Sequence, residues 1–321
     1  MRRRSAERSR LCGRNEYVHV IEIGRFAHAQ DGCAVLIILC STSLEALAED
    51  SLCQTFIVTT GFGCRVFYNR AVKGGVQMAS TALITGGTSG IGRAVANKLA
   101  QLGIHVLVVG RNRERGEKTV AEIRATGGQA DFISSNLRDA SSAGEVAKRA
   151  VELGGGHVDI LINNAGIFPF GPTHETTEET FDSVYSLNVK APYFLVAGLA
   201  PLMAKRGKGA IVNVSTMVAD YGAPGMSLYG SSKAAINLLT KAWAAEYGPK
   251  GVRVNAVSPG PTRTEGTDAM GEGVEQLAAQ APAGRPATAD EIAEAIVFLA
   301  TDRASFIHGA KLAVDGGRTA V

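Results

Sequence analysis

Cysteine is missing from most of this chain: all five (Cys12, Cys33, Cys40, Cys53 and Cys64) precede Met78 and none follows. A disulfide framework for the long C-terminal part is thereby excluded. The five also lack C-x-x-C spacing and a nearby histidine pattern, so there is no basis for a zinc site and no metal is expected. Net charge is equally scarce after Met78. Residues 1–77 hold 10 Lys/Arg against 7 Asp/Glu and residues 78–321 hold 23 against 23, so the formal charge of +3 belongs wholly to the first part. A neutral main body lacks the clustered cations that neutralise phosphates, and nucleic-acid binding is not expected. Long apolar runs are absent from the start of the chain. The first strong one, Ala34 to Leu39, begins too late for a signal-peptide core and is too short for a bilayer, which takes about 20 apolar residues. The opening Met1-Arg2-Arg3-Arg4 has the basic character of a targeting peptide, but Glu7, Glu16 and Glu22 dilute the required shortage of acids. A cytoplasmic protein without membrane association is expected.

No helical or strand period persists through residues 1–77, and the composition changes abruptly where Met78-Ala79-Ser80 leads into a complete strand. Residues 1–77 are therefore expected to be a disordered extension or no part of the natural protein, with residues 78–321 forming the folded domain.

What is present after Met78 is an alternation. Runs rich in Val and Ile recur at Ala82 to Thr85, His105 to Val109, Ala130 to Ser134, Asp159 to Ile162, Ala210 to Val214, Val252 to Val257 and Lys311 to Val314, and they read as buried parallel strands. Segments of helical period separate them; in the first, Ile91, Val95, Leu99 and Leu102 are spaced to share one face. Alternating strands and helices predict a single doubly wound, Rossmann-type α/β domain.

The first strand runs into Thr85-Gly86-Gly87-Thr88-Ser89-Gly90-Ile91-Gly92 and then into a helix. Glycines permit a tight turn and close backbone approach to a pyrophosphate, and the helix start offers free N–H groups to phosphates. The glycine spacing, G-x-x-x-G-x-G, differs from the general G-x-G-x-x-G dinucleotide fingerprint. With this turn, Asn163-Asn164-Ala165-Gly166, Asn188, Tyr229-Gly230-Ser231-Ser232-Lys233 and Pro259-Gly260 in order, residues 78–321 resemble the short-chain dehydrogenase/reductase family, in its short single-domain branch. Within that branch the sequence resembles the 3-oxoacyl-(acyl-carrier-protein) reductases. The resemblance implies a parallel seven-stranded sheet in the order 3-2-1-4-5-6-7 and an oxidoreductase acting between a nicotinamide cofactor and a small carbonyl or alcohol.

An acid about 20 residues past the glycines would bind the ribose 2′-OH of NAD(H). Here the segment reads Val109-Gly110-Arg111-Asn112-Arg113, which puts a guanidinium where a 2′-phosphate would sit. NADP(H) is expected over NAD(H), and an Asp placed at Gly110 is expected to shift the preference back. Asn136-Leu137 stand where the family usually has Asp and an apolar residue against adenine, and an Asn carbonyl can still accept the adenine amino group. Alongside Gly86, Thr88, Ser89, Gly90, Ile91 and Gly92, the resemblance assigns Asn163, Ala165 and Gly166 to the ribose. It assigns Pro259, Gly260, Thr262 and Thr264 to the nicotinamide and pyrophosphate.

Tyr229 and Lys233 are four apart on a predicted helix and share a face. A phenol with a pKa near 10 needs roughly 4 kcal/mol of preferential phenolate stabilisation to titrate near 7, which a nearby ammonium and an oxidised nicotinamide ring can supply. The family places a substrate-binding hydroxyl thirteen residues before the tyrosine. That count gives Thr216, with Ser215 one residue away as the alternative. Asn188 matches the asparagine that holds a water and passes protons from the lysine. The implied roles are Tyr229 as proton donor, Lys233 as its electrostatic partner, and Thr216 as the residue that orients the substrate oxygen.

The resemblance further implies a homotetramer built on helices near Thr180 to Lys205 and Tyr229 to Tyr247, with Phe194, Leu195 and Trp243 partly at the interfaces. The segment Glu265 to Arg285 is expected to cover the substrate. Lys205, Arg206 and Lys208 would suit an acidic acyl carrier protein or else form a solvated loop. The rival reading is a non-catalytic NADP(H)-binding sensor, which would have little use for an intact Tyr-Lys pair. An extended-branch epimerase or dehydratase would show T-G-x-x-G-x-x-G and a longer C-terminal region.

Overall fold

The computed structural model describes residues 80–321 and, ahead of them, the backbone of three strands. These strands, β1 (Val35–Leu39), β2 (Gln54–Thr60) and β3 (Gly63–Phe67), pair antiparallel in chain order. Their presence differs from the absence of strand period expected there: β1 is an unbroken apolar run with no alternation to betray a strand. Otherwise the expectation for residues 1–77 lies outside the described residues.

From Thr81 the chain alternates as β4 (Thr81–Thr85), α1 (Gly90–Gln101), β5 (His105–Gly110), α2 (Arg113–Ala125), β6 (Ala130–Ser134), α3 (Ala140–Leu153) and β7 (Ile160–Asn163). It continues through α4 (Glu178–Tyr185), α5 (Ala191–Arg206), β8 (Gly209–Val214), α6 (Ser227–Tyr247) and β9 (Val252–Pro259). The last elements are β10 (Thr262–Arg263), α7 (Gly273–Ala278), β11 (Ala287–Thr288), α8 (Ala289–Ala300) and β12 (Lys311–Val314). Seven strands form one sheet in the order β6-β5-β4-β7-β8-β9-β12, all parallel. Counted along this sheet's own strands, that is 3-2-1-4-5-6-7, as expected. The parallel pair β10 and β11 was not anticipated, being only 2 residues per strand and too short to carry a period.

The strands are apolar on both faces because helices cover both. On one side Val95, Leu99 and Ile296 from α1 and α8 pack with Ile84, Val108 and Val212. On the other, Leu195, Leu199 and Met203 from α5 pack with Leu83, Leu161 and Ile211. Removing any of these fully buried side chains to Ala costs about 2–5 kcal/mol. Leu102 departs from the expected face: it lies just past the end of α1 and is 60% exposed. Leu195 and Trp243 depart from the expected interfaces and sit in the core at 0% and 5% exposure. The segment Glu178–Arg206 is long and apolar enough to cross a bilayer, yet Leu195, Val196, Leu199 and Met203 on it are buried within the domain. The loops after β4, β7, β8 and β9 leave the C-terminal ends of parallel neighbours, and so they gather at one end of the sheet.

Candidate active site

The glycine turn is built by exclusion of side chains. A Cβ on Gly92 would come within 2.3 Å of the Gly86 carbonyl oxygen and 2.4 Å of the Asn164 amide nitrogen. Gly86 and Gly90 have φ of 65° and 51°, where L side chains are strained. Asn164 braces the turn by donating to the carbonyls of Thr85 (2.9 Å) and Gly86 (3.2 Å). Thr85 Oγ1 in turn accepts from the backbone N–H groups of Asn164 and Ala165, each at 3.0 Å. Ser89 is the extended residue that opens α1. The α1 start already holds an anion: Glu265 Oε2 accepts from Gly90 N–H at 2.8 Å, while Arg93 Nη2 donates to Glu265 Oε1 at 2.6 Å. Burial alone would raise the Glu265 carboxyl, but its own backbone N–H, the Gly90 N–H and the Arg93 cation together outweigh it and hold the group below its ordinary range. The carboxylate on the Gly90 N–H shows that the α1 start can accept an anionic oxygen.

Arg111 is exposed at the end of β5, beside this turn. Gly110 next to it has no room for a side chain, since a Cβ there would lie 2.6 Å from Thr88 Cγ2. An Asp placed at this position would have to displace the Thr88 methyl. Asn136 is exposed past β6 and Leu137 is buried.

Tyr229 stands in the first turns of α6 and Thr216 follows β8, so the two meet across the sheet end. Tyr229 is half-buried. Burial pushes the phenol up to about 12, and the facing Thr216 hydroxyl draws it only weakly back. The protein by itself therefore keeps the proton on Tyr229 instead of lowering the pKa towards neutrality. Lys233 is 4% exposed, and its Nζ donates to the Val214 carbonyl at 2.7 Å. Burial pushes its ammonium down to about 8, which leaves it charged at neutral pH. Ser215 goes the other way: its N–H bonds to Val257, and its buried Oγ finds no partner among the described residues. Of the two candidate hydroxyls, only that of Thr216 faces the phenol.

Asn188 lies in a π-helical turn (Ser186–Lys190) that joins α4 to α5, an irregularity common at functional sites. Its Oδ1 accepts from Ile167 N–H at 2.9 Å, and its Nδ2 donates to the Ile167 carbonyl (2.9 Å) and to Ser232 Oγ (3.1 Å). A Cβ on Gly166 would sit 3.2 Å from Asn188 Oδ1 and 3.3 Å from Lys233 Nζ, so both groups converge on that glycine. Ala165 lies beside Gly166, whereas Asn163 turns inward and donates to Asn213 at 2.8 Å. Its side chain does not join the cluster. Gly260 follows Pro259 against the Asp315 backbone, Thr262 is bonded to the Gly260 carbonyl, and Thr264 packs on Gly90 at 3.2 Å from a Cβ built there. The basic trio at the end of α5 lies at the opposite end of the sheet, before β8, with Arg206 bonded to Asp159 at 2.8 Å and Lys208 3.7 Å from Asp302. Asn164, Thr85 and Glu265 were not foreseen as parts of the site. Thr85 and Asn164 carried a signal, by standing inside the glycine-turn and Asn-Asn-Ala-Gly segments, whereas Glu265 carried none for this contact.

A family model described as Enoyl-(Acyl carrier protein) reductase matches residues 86–319. The chain is 36% identical over 236 residues to a 3-oxoacyl-(acyl-carrier-protein) reductase of Thermotoga maritima, covering 73% of this chain and 96% of the relative. A solved structure named as a short chain dehydrogenase/reductase family protein is 46% identical, with a TM-score of 0.71, covering 76% of this chain and 100% of that one. A gluconate 5-dehydrogenase from Burkholderia cenocepacia, solved in complex with NADP and tartrate, is 29% identical with a TM-score of 0.71, covering 75% and 96%.

Proposed function

The chain belongs to the short-chain dehydrogenase/reductase family of oxidoreductases, and on that premise we propose that it exchanges a hydride between NADP(H) and a small ketone or 3-oxoacyl-type carbonyl, with Tyr229 as proton donor. The observation that carries the proposal is a protonated, half-buried phenol facing the Thr216 hydroxyl at the sheet end that also bears the glycine turn. When bound, the cofactor supplies or accepts the hydride. The amides at the start of α1 and Thr264 would hold its pyrophosphate, Arg111 its 2′-phosphate, Asn136 and Leu137 its adenine, and Ala165, Gly166 and Lys233 its ribose. The NADP named in the Burkholderia structure supports the choice of cofactor.

Tyr229 gives its proton to the substrate oxygen, and Thr216 fixes that oxygen by a hydrogen bond. Lys233 places a positive charge near the phenol, favouring the transient phenolate. Asn188 acts by clamping Ile167, which fixes Gly166 against Lys233. Initial rates of NADPH oxidation with ketones and 3-oxoacyl thioesters test the proposal.

The hydroxyl assignment has its own outcome. Thr216→Ser should keep much of the activity and Thr216→Val little, while Ser215→Ala should be mild in kcat. A crippling Ser215→Ala would reverse the assignment.

Arg111→Ala should weaken NADPH binding by roughly 1.5–3 kcal/mol, the range for hydrogen bonds to charged groups, with little change for NADH. Fluorescence titration with both cofactors measures this, and an unaltered enzyme that prefers NADH would defeat it.

We also propose that residues 78–321 suffice for folding and assemble as a homotetramer. The residue range matched by the family model supports the boundary, and Tyr193, Phe194, Leu202 and Leu238, which are partly exposed on α5 and α6, support the assembly. Light scattering on the chain shortened to start at Met78 should give a folded tetramer; a monomer, or loss of folding, would count against one or the other.

A further inference from the structure

The loop after β7 carries two aromatic rings that the reaction itself does not require. Its near end is fixed because Asn188 clamps both backbone polar groups of Ile167. Its far end is fixed by the 3.0 Å bond from Gly171 N–H to the Gly225 carbonyl. Between these pins, the Phe168 ring lies 6.0 Å from the Tyr229 ring at an interplanar angle of 59°. Gly266, at the start of the segment that follows β10, borders the other edge of Phe168: a Cβ there would be 3.9 Å from its Cζ. Phe170 covers Gly225, four residues before Tyr229, so closely that a Cβ on that glycine would meet the ring at 2.7 Å. Both rings keep open surface despite these contacts, 40% for Phe168 and 77% for Phe170.

The segment that borders Phe168 at Gly266 brings no unpaired cation toward an anionic substrate. On the segment from Glu265 to Arg285 the acids Glu265, Asp268, Glu272 and Glu275 outnumber the single cation Arg285. Arg285 is bound to Glu291 through two nitrogens, at 2.9 and 2.7 Å. Arg263, just ahead, is paired with Glu275. A carboxylate brought beside Tyr229 would meet no spare cation on these segments, whereas an apolar group would cover ring surface that water now touches.

We infer that Phe168 and Phe170 are specificity-determining residues that select carbonyl compounds with a bulky, uncharged apolar group beside the carbonyl, and that polyhydroxy acids are not substrates. The inference rests on the reading of Tyr229 as the proton donor to a ketone. It commits to the substrate's substituent, which that reading leaves open.

The test uses the full chain with NADPH and three probes: a methyl phenyl diketone, diacetyl as its small counterpart, and ketogluconate. The phenyl diketone should show a kcat/KM about tenfold or more above diacetyl, with ketogluconate near background. Phe168→Ala and Phe170→Ala should each lower kcat/KM for the phenyl probe by about tenfold, chiefly through KM, and change diacetyl less than about threefold. Phe168→Leu should restore part of the loss. Equal losses on both diketones would reduce Phe168 to a structural support of Tyr229 and overturn the inference. A preference for ketogluconate would overturn it while leaving the oxidoreductase reading intact. Binding of NADPH with no reduction of the phenyl diketone would overturn the inference, and the wider panel of ketones and 3-oxoacyl thioesters then decides whether the oxidoreductase reading stands.

Discussion

Tyr229→Phe should leave the fold and NADPH affinity nearly unchanged, while ketone reduction falls by at least the ~10²–10⁴ typical of general acid catalysis. The substitution removes a single oxygen, and the ring that packs toward Phe168 stays in place. The lost atom is the one whose proton is held by burial, at a pKa of about 12. For carbonyl reduction that is the productive resting form: the donor is loaded at neutral pH, and its release awaits a positive charge and a developing alkoxide nearby. The same variant separates an enzyme from a cofactor-binding sensor, because a sensor would tolerate it. Single-turnover rates measured beside a cofactor titration make the comparison. If Tyr229→Phe still reduces a confirmed substrate, the proposed mechanism must be abandoned.

The sheet was legible because its central strands β4, β7, β8 and β9 are buried on both faces and therefore stand out as apolar runs. The glycine turn was legible because Gly86, Gly90 and Gly92 are demanded by backbone geometry and close contact. What stayed hidden depends on which way a side chain leaves the end of an element. Asn163 and Asn164 are adjacent and chemically identical, yet the first ends β7 and turns into the core while the second, one residue on, braces the turn. A slip of one residue separates Thr216 from Ser215 in the same way. Glu265 reaches Gly90 from 175 residues away, and no local pattern encodes such a contact. Leu195 is hard to assign to core or interface because α5 is apolar nearly all round, so its inward and outward faces look alike in sequence. Phe168 and Phe170 are two aromatics in a loop until the bonds at Ile167 and Gly171 aim them beside Tyr229.

Lys233→Met should abolish most activity and at the same time remove a pH dependence from the stability of the protein. The ammonium is 4% exposed, makes one hydrogen bond, to Val214, and is pushed down to about 8 from its ordinary 10.5. A difference of that size corresponds to about 3 kcal/mol between the charged and neutral forms. The sign follows from linkage. Between pH 8 and 10.5 the unfolded chain binds more protons at this lysine than the folded one does, so stability rises with pH across that window. Below pH 8 both states are protonated and the full destabilisation is present. Tyr229 works in the opposite sense, but only above its ordinary value of 10, where the folded state keeps the proton longer than the unfolded one. The clean comparison is therefore between pH 7.5 and about 9.5, by urea denaturation of both proteins. The unaltered protein should gain stability relative to Lys233→Met over that interval, because Met keeps the length of the stem and carries no charge to desolvate. Met leaves the Val214 carbonyl without its donor, a cost of about 1–3 kcal/mol that is independent of pH and cancels in the comparison. Activity should fall together with NADPH affinity, since the same ammonium serves the phenol and the ribose. Parallel stability curves for the two proteins would mean that Lys233 is hydrated in the folded state, and full activity in Lys233→Met would remove it from the mechanism.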